Sequence, residues 1–201
     1  MNKQQRVFKN ALVEVSGYDV ENGVSEYHVM IHATVPMQTY KEQLEAVSDA
    51  YRALLETELQ GAVAVFKRYF LSDAANQVDM LSAISAEEPD CALSIVQQAP
   101  LNGTKIALWV YLQKGVETRR LPDGLFEVKH SVYRHLWGGG AFKRSADSES
   151  QTRQLLDEYI RQLVEQGCNI HQIMGQSCRV VVLCSVDDFL WALCQFADQF
   201  S

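Results

Sequence analysis

One helix-to-strand segment occurs twice in this chain, and that repetition limits the possible folds more than any other feature. Gln38-Thr39 opens QTYKEQLEAVSDAYRALLET, and Gln151-Thr152 opens QTRQLLDEYIRQLVEQG. Leu44, Val47, Tyr51, Leu54 and Leu55 recur at helical spacing in the first segment. Leu155, Leu156, Tyr159, Ile160, Leu163 and Val164 do so in the second. Polar residues fill the gaps, so each segment predicts an amphipathic helix with one buried face. Thr39 with Glu42, and Ser148 with Gln151, fit capping boxes. AVAVFKRYFLSD follows the first helix and CRVVVLCSVDD the second, both rich in β-branched or aromatic residues and closed by aspartate. Gln38 and Asp73 lie 35 positions apart, Gln151 and Asp187 36, so helix, loop and strand are repeated as a block.

The flanks extend the repeat unequally. A short helix is expected after each strand, over residues 74–84 and 189–200. Residues 6–35 read as two strands, RVFKNALVEVSG and SEYHVMIHATV, turning about Glu21-Asn22-Gly23. Residues 121–137, LPDGLFEVKHSVYRHLW, read as a shorter hairpin before the second helix. The first half adds a closing pair, CALSIVQQAPL and TKIALWVYLQKG, around a turn at Asn102-Gly103. The second half has no counterpart to it. The expected architecture is therefore α+β, two tandem βαβα units over residues 1–118 and 119–201. The second unit is expected to lack its closing strands, so it must borrow an edge, leave one exposed, or belong to a native protein longer than this sequence.

Composition removes several function classes. Hydrophobic residues form 47% of the chain and charged residues 21%, enough apolar material for a packed core. A formal net charge of −7 argues against nucleic acid as a partner, because neutralising phosphates takes clustered Lys and Arg. No apolar stretch is long enough to span a bilayer, and MNKQQRVFKN has no signal-peptide core, so no membrane partner and a cytoplasmic location are expected. The five cysteines form no C-x-x-C pair and lie mostly in apolar runs, as reduced, small hydrophobic residues do. No dinucleotide, Walker or G-x-S-x-G pattern occurs, and no cofactor is expected.

The order hairpin, long helix, strand, short helix, closing strands resembles the Rid (YjgF-like, reactive-intermediate deaminase) superfamily, whose fold is called chorismate-mutase-like. The Gln-Thr helix starts, the strand ending Leu71-Ser72-Asp73 and the segment ALSIVQQAPLNGTKIALWVYL carry the resemblance in the first half. Tyr159 through Leu163, Arg179 and Ser185-Val186-Asp187-Asp188-Phe189 carry it in the second, where the chain is similar to the tandem-domain branch that includes the chorismatases. In the deaminases an arginine at the start of the closing hairpin grips the substrate carboxylate, and a downstream glutamate helps to activate water. On this chain those positions fall at about Ala92 and Trp109, and no arginine occurs between Arg68 and Arg119. The resemblance thus implies the fold without the usual imine or enamine deamination. It also implies a homo-oligomer.

Candidate site residues cluster in the second half. Arg179 begins an otherwise apolar strand and needs an anionic partner, either a ligand or an aspartate such as Asp187. Arg134, His135 and Trp137, in YRHLWGGG, place a guanidinium, an imidazole and an indole beside a glycine run. Residues 138–149 form a polar connection longer than its first-half counterpart, either a cover for a site or a tolerated insertion. His28 and His32 share a strand face, but without a nearby carboxylate or cysteine no metal site is expected. Trp109 and Tyr111 read as core or interface residues, and Cys168 as a helix-end residue.

Three functions compete on this reading. The first is a Rid-like protein binding a small anionic metabolite, through Arg134, His135, Trp137 and Arg179. The second is a chorismatase-like hydrolase in which Arg134 and Arg179 hold a carboxylate and Glu127 or Glu158 moves protons. The third is an assembly protein built through unpaired strand edges.

Overall fold

The computed structural model of the chain describes residues 2–19, 23–131, 133–139, 147–168 and 178–182. They form a mixed α+β protein of two compact units, residues 1–117 and 118–201. No helix among the described residues is long and apolar enough to cross a membrane.

Unit 1 runs β1 (Asn2–Phe8), β2 (Ala11–Asp19), β3 (Ser25–Ala33), α1 (Tyr40–Glu56), β4 (Val63–Leu71), α2 (Ala74–Ser85), β5 (Ala92–Gln97) and β6 (Ile106–Lys114). Its strands form one sheet in the order β1-β2-β3-β6-β4-β5. Every neighbouring pair is antiparallel except β4 with β5. The last strand is thus an inner one, paired with β3 on one edge and β4 on the other.

Two expectations change here. RVFKNALVEV is not one strand: the chain reverses at Lys9-Asn10, with Phe8 opposite Ala11 and Lys9 at φ 47°. The reversal lies inside a continuous β-like pattern, and an asparagine without a following glycine gave no turn signal. The closing pair is also not a hairpin. Residues 98–105 carry the chain past the end of β4, so that β4 separates β5 from β6. Asn102-Gly103 still turns, with Gly103 at φ 77°, but within a crossover.

Helix α1 is positioned by its N-terminus and its apolar stripe. The Thr39 hydroxyl accepts from the Glu42 amide, and the Glu42 carboxylate accepts from the Thr39 amide at 2.8 Å, a complete capping box. Leu44, Val47, Ala50, Tyr51 and Leu54 are buried in the core with Val13, Val29, Ile31, Leu108 and Val110 of β2, β3 and β6. Burying one such leucine stabilises by about 2 kcal/mol. Gln43 shares the buried stripe and is fully satisfied. Its Nε2 donates to the carbonyls of Val35, Pro36 and Gln38, and its Oε1 accepts from the Lys105 amide at 2.7 Å. The turn before α1 and the start of β6 are clasped by this one amide.

Unit 2 contains β7 (Glu117–Arg120), β8 (Phe126–Lys129), β9 (Arg134–Gly138), α3 (Ser148–Glu165) and β10 (Cys178–Val182), with sheet order β10-β9-β8-β7. The hairpin expected over 121–137 is β8 and β9, with the turn at residues 121–125 leading back to a third strand, β7. Strand β10 pairs parallel with β9, so the strand–helix–strand step closes directly, with no strand between. The helix expected over 189–200 and residues 140–146 of the long connection lie outside the described residues.

The α3 cap shifts by one residue from the expected Ser148. Asp147 is the N-cap, and its carboxylate accepts from the Ser150 amide at 2.7 Å. Aspartate and serine cap comparably, and the extended backbone at Asp147 decides between them. Tyr159 and Leu163 pack with Leu121, Leu125, Leu136 and Cys168, whereas Val164, assigned to the apolar face from sequence, is exposed. Gly138 ends β9 beneath Tyr159; a Cβ there would sit 3.1 Å from the tyrosine ring. The first glycine of the run therefore serves close packing rather than flexibility.

Thr39→Ala removes one half of the α1 capping box. Urea unfolding should show a loss of about 1 kcal/mol with an unchanged denaturant slope.

Candidate functional site

Arg134, the first residue of β9, is drawn inward. It donates through Nη1 to Glu127 Oε1 at 3.0 Å, and through Nη2 to the Gln166 carbonyl and to Cys168 Sγ at 3.6 Å. The Gln166 carbonyl lies at the C-terminal end of α3, where helix carbonyls lack partners and the helix dipole favours a cation. Its side chain is 31% exposed, that of Glu127 only 5%. Arg119 takes the other oxygen of Glu127, so the carboxylate holds two guanidinium groups. Burial pushes the Glu127 carboxyl up, but the bonds from Arg119 and Arg134 outweigh that and hold it below the usual range. The arrangement ties β7, β8, β9 and the end of α3 together.

The other predicted residues lie elsewhere. His135 and Trp137 are buried on the face of the unit 2 sheet opposite Leu136 and Arg134. The His135 ring lies 4.7 Å from that of His130 and 5.0 Å from that of Tyr133. Arg179 is the β10 partner of His135, whereas Arg134 is opposite Cys178. Asp187, the acid considered for Arg179, lies outside the described residues. Glu158 is engaged by Arg161 at 2.6 Å along α3. In unit 1, His28 stacks on Tyr111 at 4.9 Å and on Trp109 at 6.0 Å, and burial lowers its pKa.

The strongest candidate site lies in unit 1, at a residue the sequence reading passed over. Lys67 occupies the middle of β4 and is only 3% exposed. Its ammonium pairs with Glu88, 9% exposed, and stands 4.5 Å from the centre of the Tyr51 ring. Three elements build the place: α1 supplies Tyr51, β4 supplies Lys67, and the segment between α2 and β5 supplies Glu88 and buried Cys91. A cavity of about 250 Å³ opens beside the pair, lined by Lys67, Ser85, Glu88, Asp90, Cys91 and Leu93. Glu88 gives only Oε2 to Lys67; Oε1 is buried without a hydrogen-bond partner among the described residues. Such an atom is rare in a folded protein and calls for water or a ligand.

Tyrosines surround the pair. Burial, with the charge of Glu88 nearby, pushes the hydroxyls of Tyr51 and Tyr69 well above the ordinary value, and burial takes Tyr40 to about 12. All three stay protonated at neutral pH. A larger hollow of about 450 Å³, near Tyr18, Tyr27 and Glu58, has its polar groups engaged already: Tyr18 with Glu26, Arg6 with Glu58, and Ser25 with Asp19. The smaller cavity thus combines buried charge with an idle acceptor.

A signal for Lys67 was present in the sequence. In VAVFKRYFL, Lys67 shares its strand face with Tyr69 and Leu71, so a lysine stands where the alternation calls for a core residue. Its partner could not be read in the same way, because Glu88 lies 21 residues away in irregular chain. No protein-family model matches the chain, and no curated protein matches it.

Two outcomes follow. Lys67→Met leaves Glu88 buried without its cation and should cost about 3–5 kcal/mol in urea unfolding, whereas Lys67→Met/Glu88→Leu should recover most of that loss. Glu127→Gln should cost on the order of 2 kcal/mol at neutral pH. The folded Glu127 carboxyl titrates below its unfolded value, so its contribution is complete above the unfolded pKa of about 4.3 and disappears as pH falls through the folded one. Unfolding curves from about pH 6 down to about pH 3 should therefore show the gap between wild type and variant closing.

Proposed function

We propose that this protein is a Rid-like binding protein for a small metabolite with an anionic group, held in the Lys67 pocket of unit 1 and not turned over by imine or enamine deamination. The carrying observation is the buried Lys67–Glu88 pair beside a cavity, with one carboxylate oxygen idle. Lys67 retains N–H donors beyond the one given to Glu88, and a buried cation lining a cavity attracts a carboxylate or phosphate.

The tandem chorismate-mutase-like architecture belongs to the same proposal. Its support is the recurrence of one step: β3, α1 and β4 in unit 1, and β9, α3 and β10 in unit 2. Both steps join parallel strands, separated by β6 in the first and adjacent in the second. The absence of deamination rests on Ala92 and Trp109, which stand at the positions the resemblance assigns to the arginine and the glutamate. In this reading the chain is a cytoplasmic homo-oligomer, as the resemblance implies. The hydrolase alternative has less behind it, since Arg134 is committed to Glu127 and the Gln166 carbonyl.

The test is amide chemical-shift mapping on the full chain with a set of small carboxylates, phosphates and amino acids. Saturable shifts should concentrate at residues 85–93 and vanish in Lys67→Met/Glu88→Leu. A set that moves no amide there, or moves them equally in the double variant, would refute the reading.

A further inference from the structure

We propose that the Lys67 pocket selects a zwitterion: a small molecule carrying an ammonium and a carboxylate a few bonds apart, of the amino-acid type. This rests on the reading of the pocket as a metabolite site and narrows its ligand class.

The argument begins with the charge the pocket already holds. Lys67 and Glu88 neutralise one another, and both are more than nine-tenths buried. A ligand bearing only a carboxylate would gain from Lys67 but place its charge beside Glu88, whose Oε1 has no donor to offset it. A ligand bearing only an ammonium would satisfy Oε1 while facing the Lys67 ammonium. Either adds an uncompensated charge beside two buried ones, where charge is costly. A zwitterion adds none. Its ammonium fits Glu88 Oε1 and its carboxylate fits the remaining N–H donors of Lys67, so four charges alternate in sign.

The surroundings limit the ligand further. A volume of about 250 Å³ lies below the usual range for drug-sized ligands and suits a molecule the size of a small amino acid. The lining from Cys91 and Leu93 offers a short apolar wall for a small side chain or a methylene spacer. Tyr51 closes the far side of Lys67, its ring facing the ammonium, so the lysine head is held in place rather than sweeping through the cavity. Each end of the ligand would then meet a pre-set partner, which reduces the ordering cost of binding.

The test is isothermal titration calorimetry on the full chain with three matched probe sets. The zwitterions are glycine, L-alanine, L-serine, β-alanine and 4-aminobutyrate. The carboxylates are acetate, propionate and butyrate, and the amines are methylamine, ethylamine and propylamine. At least one zwitterion should bind about tenfold or more tightly than the carboxylate and the amine of matching length. Glu88→Gln should weaken that zwitterion by about tenfold while leaving propionate unchanged or tighter, because the repelling charge is gone. A thermal melt checks that Glu88→Gln is folded, and Lys67→Met/Glu88→Leu, which lacks both members of the charged pair, should bind none of the probes. A carboxylate or an amine binding as tightly as its zwitterion overturns the inference and leaves the pocket reading standing. If none of the probes binds and the amides of residues 85–93 stay unmoved by the wider metabolite set, the orphan oxygen holds only water, and both fail.

Discussion

Unit 1 depends on a strand that is last in sequence and internal in space. Strand β6 supplies the hydrogen-bonding edge for β3 on one side and for β4 on the other, and its side chains are buried along most of its length. Without it, the hairpins β1 to β3 and the parallel pair β4–β5 are two separate sheets with no common edge. Helix α1, whose apolar face needs β2, β3 and β6 together, would have an incomplete floor. The position of β6 also sets the outer strands: β5 must lie beyond β4, because the inner edge of β4 is taken. Unit 2 solves the same strand–helix–strand step without a wedge, letting β10 pair with β9 itself. No strand therefore stands between β9 and β10.

The contrast between two buried carboxylates explains why one place resembles a site and the other a brace. Glu127 spends both oxygens on arginines, and Arg134 goes on to bind the end of α3. The Glu127 carboxylate keeps no oxygen idle. Glu88, which lines a cavity, spends one oxygen on Lys67 and keeps the other without a hydrogen-bond partner among the described residues. Whether hydrogen-bonding capacity is left unspent is what separates the two.

Local signals were legible in the sequence, and long-range ones were not. The α1 boundaries and buried face followed from Thr39, Glu42 and the spacing of Leu44, Val47, Tyr51 and Leu54, all within one helix. Strand β4 and helix α2 were equally plain. What failed was pairing. The alternation in ALSIVQ and IALWVYL identifies two strands but says nothing about which neighbours they take, so a crossover was read as a hairpin. The reversal at Lys9-Asn10 was hidden because strands on both sides share one composition. At the candidate site, Lys67 was visible as a charge out of phase with its strand, yet its meaning came only with Glu88 and Tyr51, brought from other elements. The register that sets Arg179 opposite His135, and Arg134 opposite Cys178, is likewise a property of the assembled sheet.

Gln43 has a consequence for how this sequence can drift over evolutionary time. Its amide meets only main-chain atoms, three carbonyls in the turn before α1 and one amide at Lys105. A grip on the backbone does not sense which side chains that backbone carries. Val35, Gln38 and Lys105 can therefore be replaced without loosening these bonds, whereas position 43 must keep a side chain that donates at one end and accepts at the other. Among distant descendants of this fold, the segments on either side of the clasp would diverge while a solitary glutamine in the first turn of a helix persisted. To an observer comparing sequences, that glutamine would look like an isolated relic, although it joins segments about sixty residues apart.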